Sequence, residues 1–266
     1  MRINVHAGHN PDGKVGCGAI GLIKESTENR NVKNEVIRQL QALGHTVYDC
    51  TVDDGTSAGN VLTKIVKKCN AHTVDLDVSI HFNAGAKNTA GNGKTTGTEV
   101  YVYTDNSKAK SYAQAVCNAI SALGYKNRGV KVRTDLYFLR NTKAPAMLIE
   151  CCFVDDKDDI KLYNVQSMAS AIVKGITGQS VAIQPVQTQQ QTQTAQASGS
   201  FMVKVKVDEL NYRAGAGTEH KVNGVIKDKG TYTIVETAKA KDGGTWGKLK
   251  SGAGWINISN KYVTRV

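Results

Sequence analysis

Four side chains of this 266-residue chain are of the types that hold and assist a catalytic metal ion: His9, Glu25, His81 and Glu150. A catalytic zinc ion takes three nitrogen or oxygen ligands from the protein and keeps its fourth tetrahedral position for water. Two histidines and two glutamates are enough for such a site and leave one acid beside the metal. The residue types are therefore able to hold one Zn²⁺ ion and to supply an acid beside it.

Three of these side chains stand where a short apolar run of sequence ends. His9 follows the run that begins at Ile3, His81 lies in Ser-Ile-His-Phe-Asn-Ala, and Glu150 ends Ala-Met-Leu-Ile-Glu. In open α/β sheets, ligands bind outside the carboxyl ends of the strands. If each run is a strand, these residues meet at one edge of a sheet although they lie far apart in sequence.

The histidines also have less specific interpretations. His9 follows Gly8 in a glycine-rich turn that lets its ring face a shared site, but a plain loop histidine fits the same pattern. His81 ends an apolar run, where a core histidine is usual, although Asn83 shares its face and is placed to orient the ring. His6 ranks behind both, as a rival ligand or a group that supports one.

The glutamates carry alternatives of their own. Glu25 is either a ligand, which Asn29 one helical turn later favours, or a solvated glutamate in the first turn of a helix. Glu150 ends an apolar run and precedes Cys-Cys-Phe-Val, so burying its charge is costly unless it has a partner or a function. The alternative for Glu150 is a structural ion pair with one of three arginines, Arg128, Arg133 or Arg140.

Short β-type runs alternate with segments of helical period through residues 1–178. Val32, Val36, Leu40 and Leu43 form the stripe of an amphipathic helix that stops before Gly44. This alternation predicts an α/β domain with a mixed β-sheet flanked by helices on both faces. The predicted strands are Ile3–Ala7, Thr46–Tyr48, Val78–Phe82, Glu99–Tyr103 and Ala146–Phe153, and the further predicted helices are Lys108–Leu123 and Ile160–Ile176.

The composition changes abruptly after this domain. Residues 179–200 are rich in Gln, Thr, Ala and Ser without an apolar period, which predicts a flexible linker, with an ordered surface helix as the alternative. In residues 201–266, Val203-Lys-Val-Lys-Val alternates strictly, and Tyr232–Val235 and Trp246–Leu249 follow between turns. Short strands at this spacing predict a small all-β barrel that binds a partner.

The chain carries a formal charge of +11, of which about +6 falls in residues 200–266. Such a charge favours anionic partners. The chain has no long Lys/Arg block and no basic aromatic-rich helix, which argues against nucleic acid as the partner. No apolar run reaches the length of a transmembrane segment, and no secretory signal peptide is evident, so we expect synthesis in the cytoplasm.

The six cysteines, at positions 17, 50, 69, 117, 151 and 152, show no metal-ligand spacing. Cys151 and Cys152 are adjacent, and on a regular strand they point to opposite faces, which is unfavourable for a disulfide framework. We therefore expect small, buried and reduced residues rather than disulfides.

Taken together, the motifs of residues 1–178 resemble those of zinc-dependent N-acetylmuramoyl-L-alanine amidases, in particular the catalytic domains of phage-type endolysins. The motifs stand in the order of that family, and they are specific as a set. They are Gly8-His9, Glu25 with Asn29, Ser79-Ile-His-Phe-Asn-Ala84, Asn127-Arg-Gly129 and Leu148-Ile-Glu-Cys-Cys-Phe153.

The resemblance implies one zinc ion held by His9, Glu25 and His81, with Glu150 as the catalytic acid and base. It also implies the substrate bond, the amide between the lactyl group of N-acetylmuramic acid and L-alanine in peptidoglycan. Supporting or substrate-positioning roles are expected for Asn83, Asn29 and Arg128. Such an enzyme acts on the cell wall after release, through a separate pore-forming protein.

The tail resembles bacterial SH3 domains through Leu210-Asn-Tyr-Arg-Ala-Gly215, Gly254-Trp-Ile256 and Tyr262-Val263. This resemblance implies binding to the cell wall by the tail. Tyr212, Trp246 and Trp255 are the expected binding residues, and each tryptophan is alternatively part of a small core.

Two other functions share either the metal site or the wall binding with this prediction. A zinc peptidase would cut within the stem peptide, and an inactive wall-binding protein would lack a ligand or the acid, neither of which is missing here. Fe(II) also uses two histidines and a carboxylate, but the His-x-Asp or His-x-Glu pair usual in such sites does not occur in this sequence. The sequence leaves open the host, the peptidoglycan chemotype, the release route and the oligomeric state. It also leaves open the exact ligand of the tail and whether a shorter product starts at Met202.

Overall fold

Parallel strands carry the predicted site residues to one edge of a sheet. The computed structural model describes residues 1–179, 201–240 and 243–266. The chain forms two compact units, residues 1–184 and 185–266. Apart from Gln179, the predicted linker lies outside the described residues, so the proposed domain limits stay a prediction.

The first unit alternates strands and helices. Its elements, in chain order, are β1 (Arg2–Ala7), α1 (Glu25–Ala42), β2 (Thr46–Asp49), α2 (Ala58–Cys69), β3 (Leu76–Asn83), β4 (Thr98–Val102), α3 (Lys110–Ser121), β5 (Asn127–Val132), α4 (Tyr137–Asn141), β6 (Ala146–Phe153), α5 (Lys157–Leu162) and α6 (Val165–Thr177).

Six strands form one sheet in the order β2-β1-β3-β6-β4-β5. Strand β4 runs antiparallel to β6, and the other paired neighbours are parallel. The predicted mixed sheet is confirmed. Because β1, β3 and β6 are adjacent and parallel, their carboxyl ends share one edge.

Apolar side chains cover both faces of the sheet. Ile3 and Val5 of β1 pack with α1, α3 and α6 in one core, whereas α2 and α4 close a second core against Leu148 of β6. Strand side chains alternate between faces, so one strand serves both cores. Val32 and Leu40 of the predicted α1 stripe are completely buried, each contributing about 1.5–3 kcal/mol.

One predicted helix differs in detail, and some elements were not predicted. The helix expected over Ile160–Ile176 is broken between α5 and α6, because Asn164 caps a new helix by accepting a hydrogen bond from the Ser167 amide at 3.0 Å. Sequence reasoning also missed α2, α4 and β5. Helix α4 has only five residues, and β5 is interrupted by Gly129, whose φ is +81°.

Cys151 and Cys152 were expected on opposite faces, and that prediction is wrong. The pairing of β3 with β6 shifts register after His81, so that Glu150 and Phe153 pair with His81 and Asn83. This bulge places one extra residue in β6. Both thiols consequently lie in the same core, and all six cysteines are free.

The second unit consists of short strands. They form one seven-stranded sheet in the order β13-β7-β10-β11-β12-β8-β9, paired antiparallel. The SH3-like barrel stays a prediction. The strands are β7 (Phe201–Val205), β8 (Leu210–Arg213), β9 (Val222–Ile226), β10 (Thr231–Lys239), β11 (Thr245–Leu249), β12 (Trp255–Asn257) and β13 (Val263–Arg265).

Within the described residues, no helix combines the length and apolar character that crossing a bilayer requires.

Asp77 is a buried acid away from the candidate site, and its ionisation should destabilise the fold. Its Oδ1 accepts a hydrogen bond from Asn4 Nδ2 at 2.7 Å, and burial raises its pKa from 3.8 to about 6. Because the folded state holds this proton more tightly than the unfolded state, the contribution of Asp77 to stability falls as the pH rises from about 4 to about 6. Asp77→Asn should therefore gain up to about 3 kcal/mol over the wild type at neutral pH.

The gain is measured by urea unfolding of the full chain, followed by helical circular dichroism, across this pH range. Asp75→Asn is the control, because Asp75 is exposed. A stability difference between wild type and Asp77→Asn that does not grow with pH would contradict the prediction.

Candidate metal centre

His9, Glu25 and His81 converge at the carboxyl edge of the sheet. His9 lies two residues beyond β1, His81 lies near the end of β3, and Glu25 is the first residue of α1. Their candidate ligand atoms all lie within 4.8 Å of one another. The three residues predicted as metal ligands are therefore brought together.

The carboxylate of Glu25 is the centre of this group. Its Oε1 lies 3.0 Å from His81 Nδ1 and 3.3 Å from His9 Nε2, and the two imidazole rings meet edge to face at 4.8 Å. Backbone amides of Phe82 and Ala19 donate to Oε1 at 3.2 Å and to Oε2 at 2.8 Å. With 3% of its surface exposed, Glu25 is not a solvated helix-cap residue.

Protonation states at this site suit metal binding. Burial raises the pKa of Glu25, but hydrogen bonds with His81 and His9 outweigh it and hold that pKa well below its ordinary value. Burial lowers the pKa of His81, and the charge of Glu25 opposes this only in part. A carboxylate and a neutral imidazole are the forms that coordinate metal ions.

Helix α1 also fixes the backbone that carries His9. Asn29 Nδ2 donates to the Gly8 carbonyl at 3.0 Å, and Arg30 Nη2 donates to the His9 carbonyl at 2.8 Å. His9 has a φ of +63°, which is unusual for a residue with a side chain. These contacts hold it there, so Asn29 lies where a positioning role was expected.

Asn83 was expected to orient the ring of His81, but the hydrogen bonds of the two side chains go to different partners. Its Nδ2 donates to Glu99 Oε1 at 2.8 Å, and it is Glu25 that contacts His81 Nδ1. Both side chains line the same cleft, but Asn83 reaches past β6 to Glu99 on β4 instead of back to His81.

Glu150 lies beside His81, its register partner on β6. Its Oε2 is buried without a hydrogen-bond partner, and among the described residues it pairs with none of Arg128, Arg133 and Arg140. Burial, together with the negative charges of Glu25 and Glu99, raises its pKa to about 8. The structural ion pair is therefore not formed, and the side chain carries an unpaired acid into the site.

Glu99 is a functional candidate that sequence reasoning missed. It is buried opposite Glu150 on β4. Besides Asn83, it accepts hydrogen bonds from Tyr101 Oη, Arg128 Nε and Lys131 Nζ, and these donors outweigh burial and lower its pKa to about 2. The available signal was an acidic residue at the start of a predicted buried strand.

Arg128 belongs to this second carboxylate and not to the metal group. Its Nε lies 2.6 Å from Glu99 Oε2, and its guanidinium lies 5.0 Å from the centre of the Phe153 ring. Arg128 is not among the residues that line the cleft. Its expected role in positioning substrate stays a prediction.

A cleft of about 360 Å³ opens beside the metal group. Helices α2 and α4 form an apolar wall, and the sheet edge supplies the polar side chains. Among them, His6 Nε2 and Ser79 Oγ are buried without a partner, so polar hydrogen-bonding capacity remains at the cleft floor. Its lining includes His6, His9, Val61, Leu62, Ile65, Ser79, His81, Asn83, Tyr101, Arg133, Leu136, Tyr137, Phe138, Leu148 and Glu150.

The three aromatic residues predicted to bind the wall lie in the second unit and differ in exposure. Trp246 is 3% exposed, which favours the core alternative for this residue. Trp255 and Tyr212 are partly exposed, and Lys248 Nζ lies 5.9 Å from the centre of the Trp255 ring. Of the three predicted residues, Trp255 and Tyr212 are therefore the two whose rings a partner can reach.

Residues 3–179 match the Amidase_3 family model, described as N-acetylmuramoyl-L-alanine amidase. The chain belongs to this amidase family. The matched residues contain all four side chains of the candidate site and every element of the first unit but the start of β1.

Relatives of the amidase domain include endolysins. An endolysin of Bacillus phage SPP1 is 29% identical over 97% of this chain and 96% of its own length. An uncharacterized protein of Clostridium perfringens strain 13 is 37% identical over 61% of this chain and 47% of its own length. The solved catalytic domain of the CD27L endolysin targeting Clostridia difficile is 26% identical, with a TM-score of 0.61 over 68% of this chain and 99% of that domain.

This chain spans about half the length of two Clostridium perfringens relatives that it matches. The family match and the similar solved domain show the family and the fold of residues 3–179.

Gly8 leaves the space in which the His81 ring lies. A Cβ atom at position 8 would come within 2.0 Å of His81 Cε1 and 2.2 Å of Nε2. Gly8→Ala should therefore displace the ring and weaken zinc binding by roughly tenfold or more. Zinc affinity is measured by competition with a chromophoric chelator.

Gly59→Ala is the matched control, because a Cβ there meets only Ser57 Oγ at 4.0 Å. This change in α2 should keep zinc binding and add about 0.5–1 kcal/mol of stability. If Gly8→Ala binds zinc as tightly as the wild type, His81 is not a zinc ligand.

Proposed function

We propose that this chain is a zinc-dependent peptidoglycan hydrolase that cleaves the amide between N-acetylmuramic acid and L-alanine. The observation that carries the proposal is the meeting of His9, Glu25 and His81 beside the unpaired acid of Glu150, within the amidase domain. Three ligands and one separate acid are the residues that metal-assisted hydrolysis requires.

The donor set fits zinc. Two imidazole nitrogens and one carboxylate oxygen match the three protein ligands of a catalytic zinc site. The same set also suits iron, but membership in the amidase family favours hydrolysis over oxygen chemistry. When bound, zinc lowers the pKa of its water towards about 7 and polarises the substrate carbonyl.

Glu150 performs the proton transfers in this proposal. Its raised pKa keeps it ready to exchange a proton near neutral pH, which is the condition for efficient acid–base catalysis. As a carboxylate it accepts a proton from the attacking water, and as an acid it then protonates the departing amine of L-alanine. Glu25, His9 and His81 are held in place by the contacts of α1 and β3 and take no part in these proton transfers.

We also propose that residues 201–266 bind the cell wall and hold the amidase domain near its substrate. The match to the phage endolysin extends over nearly the whole chain, including this unit, which supports an endolysin-like role after release from the cell. A tethered catalytic domain meets many substrate bonds at a high effective concentration. The SH3-like fold of the second unit and residues 179–200 as its linker are part of this proposal.

Two alternatives remain distinguishable by the products. A zinc peptidase would cut between amino acids of the stem, and an inactive binding protein would release nothing. Mass spectrometry of digested wall separates the cases, because the proposed reaction frees the lactyl carboxyl group of muramic acid together with the amino end of L-alanine. A chelator should abolish both product ends.

Two variants separate metal binding from proton transfer. Glu150→Gln should bind zinc as the wild type does and lose product formation by roughly 10²–10⁴-fold, because the acid and base are removed while the ligands remain. His81→Ala should lose both zinc and activity. Zinc content and product release are measured on the same preparations, and Glu150→Gln with wild-type product release would reject the proposed role.

Trp255 provides a test of wall binding. Its partly exposed ring beside Lys248 suits contact with a polymer, so Trp255→Ala should weaken sedimentation with purified cell walls by roughly tenfold or more. Val235→Ala is the control, because Val235 is exposed on the same sheet and is not aromatic. Equal loss in the two variants would mean that Trp255 has no specific role.

A further inference from the structure

The polar wall of the cleft contains one fully cationic side chain among the described lining residues, that of Arg133. Arg133 follows β5 directly, and its backbone amide donates to the Val102 carbonyl at 2.9 Å. The amidase reaction as proposed above assigns no task to this residue.

The guanidinium group of Arg133 is held from two sides. Its Nε and Nη2 each donate to the carboxylate of Asp135 at 2.7 Å, and its centre lies 5.3 Å from the centre of the Tyr101 ring. Tyr101 is in turn fixed by its hydrogen bond to Glu99. A guanidinium held in this way loses little side-chain entropy when it binds a ligand.

The two hydrogen bonds to Asp135 use Nε and Nη2 and do not involve the third nitrogen, Nη1. The Arg133 side chain is 41% exposed, so a ligand can reach Nη1. Arg133 and Glu150 line the same cleft without being paired to each other. The structure thus presents a fixed and accessible guanidinium group in the cleft that also contains the proposed acid.

The chemistry of the proposed substrate offers one suitable anion. In bacterial wall peptides the residue after L-alanine is a glutamate joined through its side-chain carboxyl group, so its α-carboxyl group is either a free carboxylate or an amide. An extended residue spans about 3.3–3.6 Å, so this group lies within a few ångströms of the bond to be cut. Arginine binds a carboxylate much more strongly than a neutral amide.

We propose that Arg133 is a specificity residue that binds the free α-carboxylate of the second stem residue. The proposal rests on the amidase function stated above. It predicts that the enzyme prefers cell walls whose stem peptides carry the free carboxylate over walls that carry the amide. Asp135 and Tyr101 act by fixing the guanidinium, and Asp135 leaves the Nη1 edge open.

The test compares two soluble muramoyl peptides that differ only in a free or an amidated α-carboxyl group. The wild type should cleave the carboxylate form with a kcat/KM roughly 10- to 100-fold higher, mainly through KM. Arg133→Gln should bring the ratio of the two kcat/KM values close to one. Arg133→Lys should give an intermediate ratio, because lysine keeps the charge but loses the fixed planar fork.

Arg140→Gln is the matched control, because Arg140 is an exposed arginine outside the cleft lining. It should keep the wild-type ratio, and circular dichroism shows whether each variant is folded. An equal loss on both substrates in Arg133→Gln, or a wild type without preference, would overturn the proposal.

Binding of the L-alanyl-glutamate product and of its α-amide, measured by calorimetry, tests Arg133 without catalysis. If the wild type binds the carboxylate form more tightly and Arg133→Gln abolishes this difference, the proposal is supported. This holds even if the enzyme proves to cleave a different bond. Equal binding of the two products by the wild type contradicts it. Wall digestion that yields no free lactyl carboxyl group would reject the amidase function alone.

Discussion

One buried carboxylate, that of Glu25, ties the parts of the site together. It contacts imidazoles from two different segments and accepts hydrogen bonds from the amides of Ala19 and Phe82. A buried charge is costly unless such partners are present. The buried charge of Glu25 therefore requires both that α1 packs against the sheet and that the two histidines are in place.

Glu99 and Glu150 show how the same side chain acquires opposite properties on neighbouring strands. Glu99 is surrounded by donors from four residues and stays ionised, whereas Glu150 meets negative charges and no donor at Oε2. Pairs of carboxyl groups with pKa values driven apart in this way divide the tasks of charge stabilisation and proton transfer. Here the ionised member holds Asn83 and Tyr101 of the cleft lining, and the protonatable member lies in the same cleft.

Much of the fold was predictable because apolar period and strand length are local properties of the sequence. The positions of His9, His81 and Glu150 followed from the rule that parallel strands end at the ligand-binding edge. Glu99 escaped that rule, because β4 runs in the opposite direction and brings its first residues to the same edge. The bulge after Glu150 and the contacts of Asn83 also depend on pairing between strands, which a single sequence does not display.

The two tryptophans of the chain, Trp246 and Trp255, both belong to the second unit, and the amidase domain contains none. Indole emission therefore comes from that unit alone. One of these rings is shielded and the other is partly open, so the emission combines a constant signal with one that responds to its surroundings. The protein thus carries its own optical label on one unit, which distinguishes events there from events in the amidase domain without chemical modification.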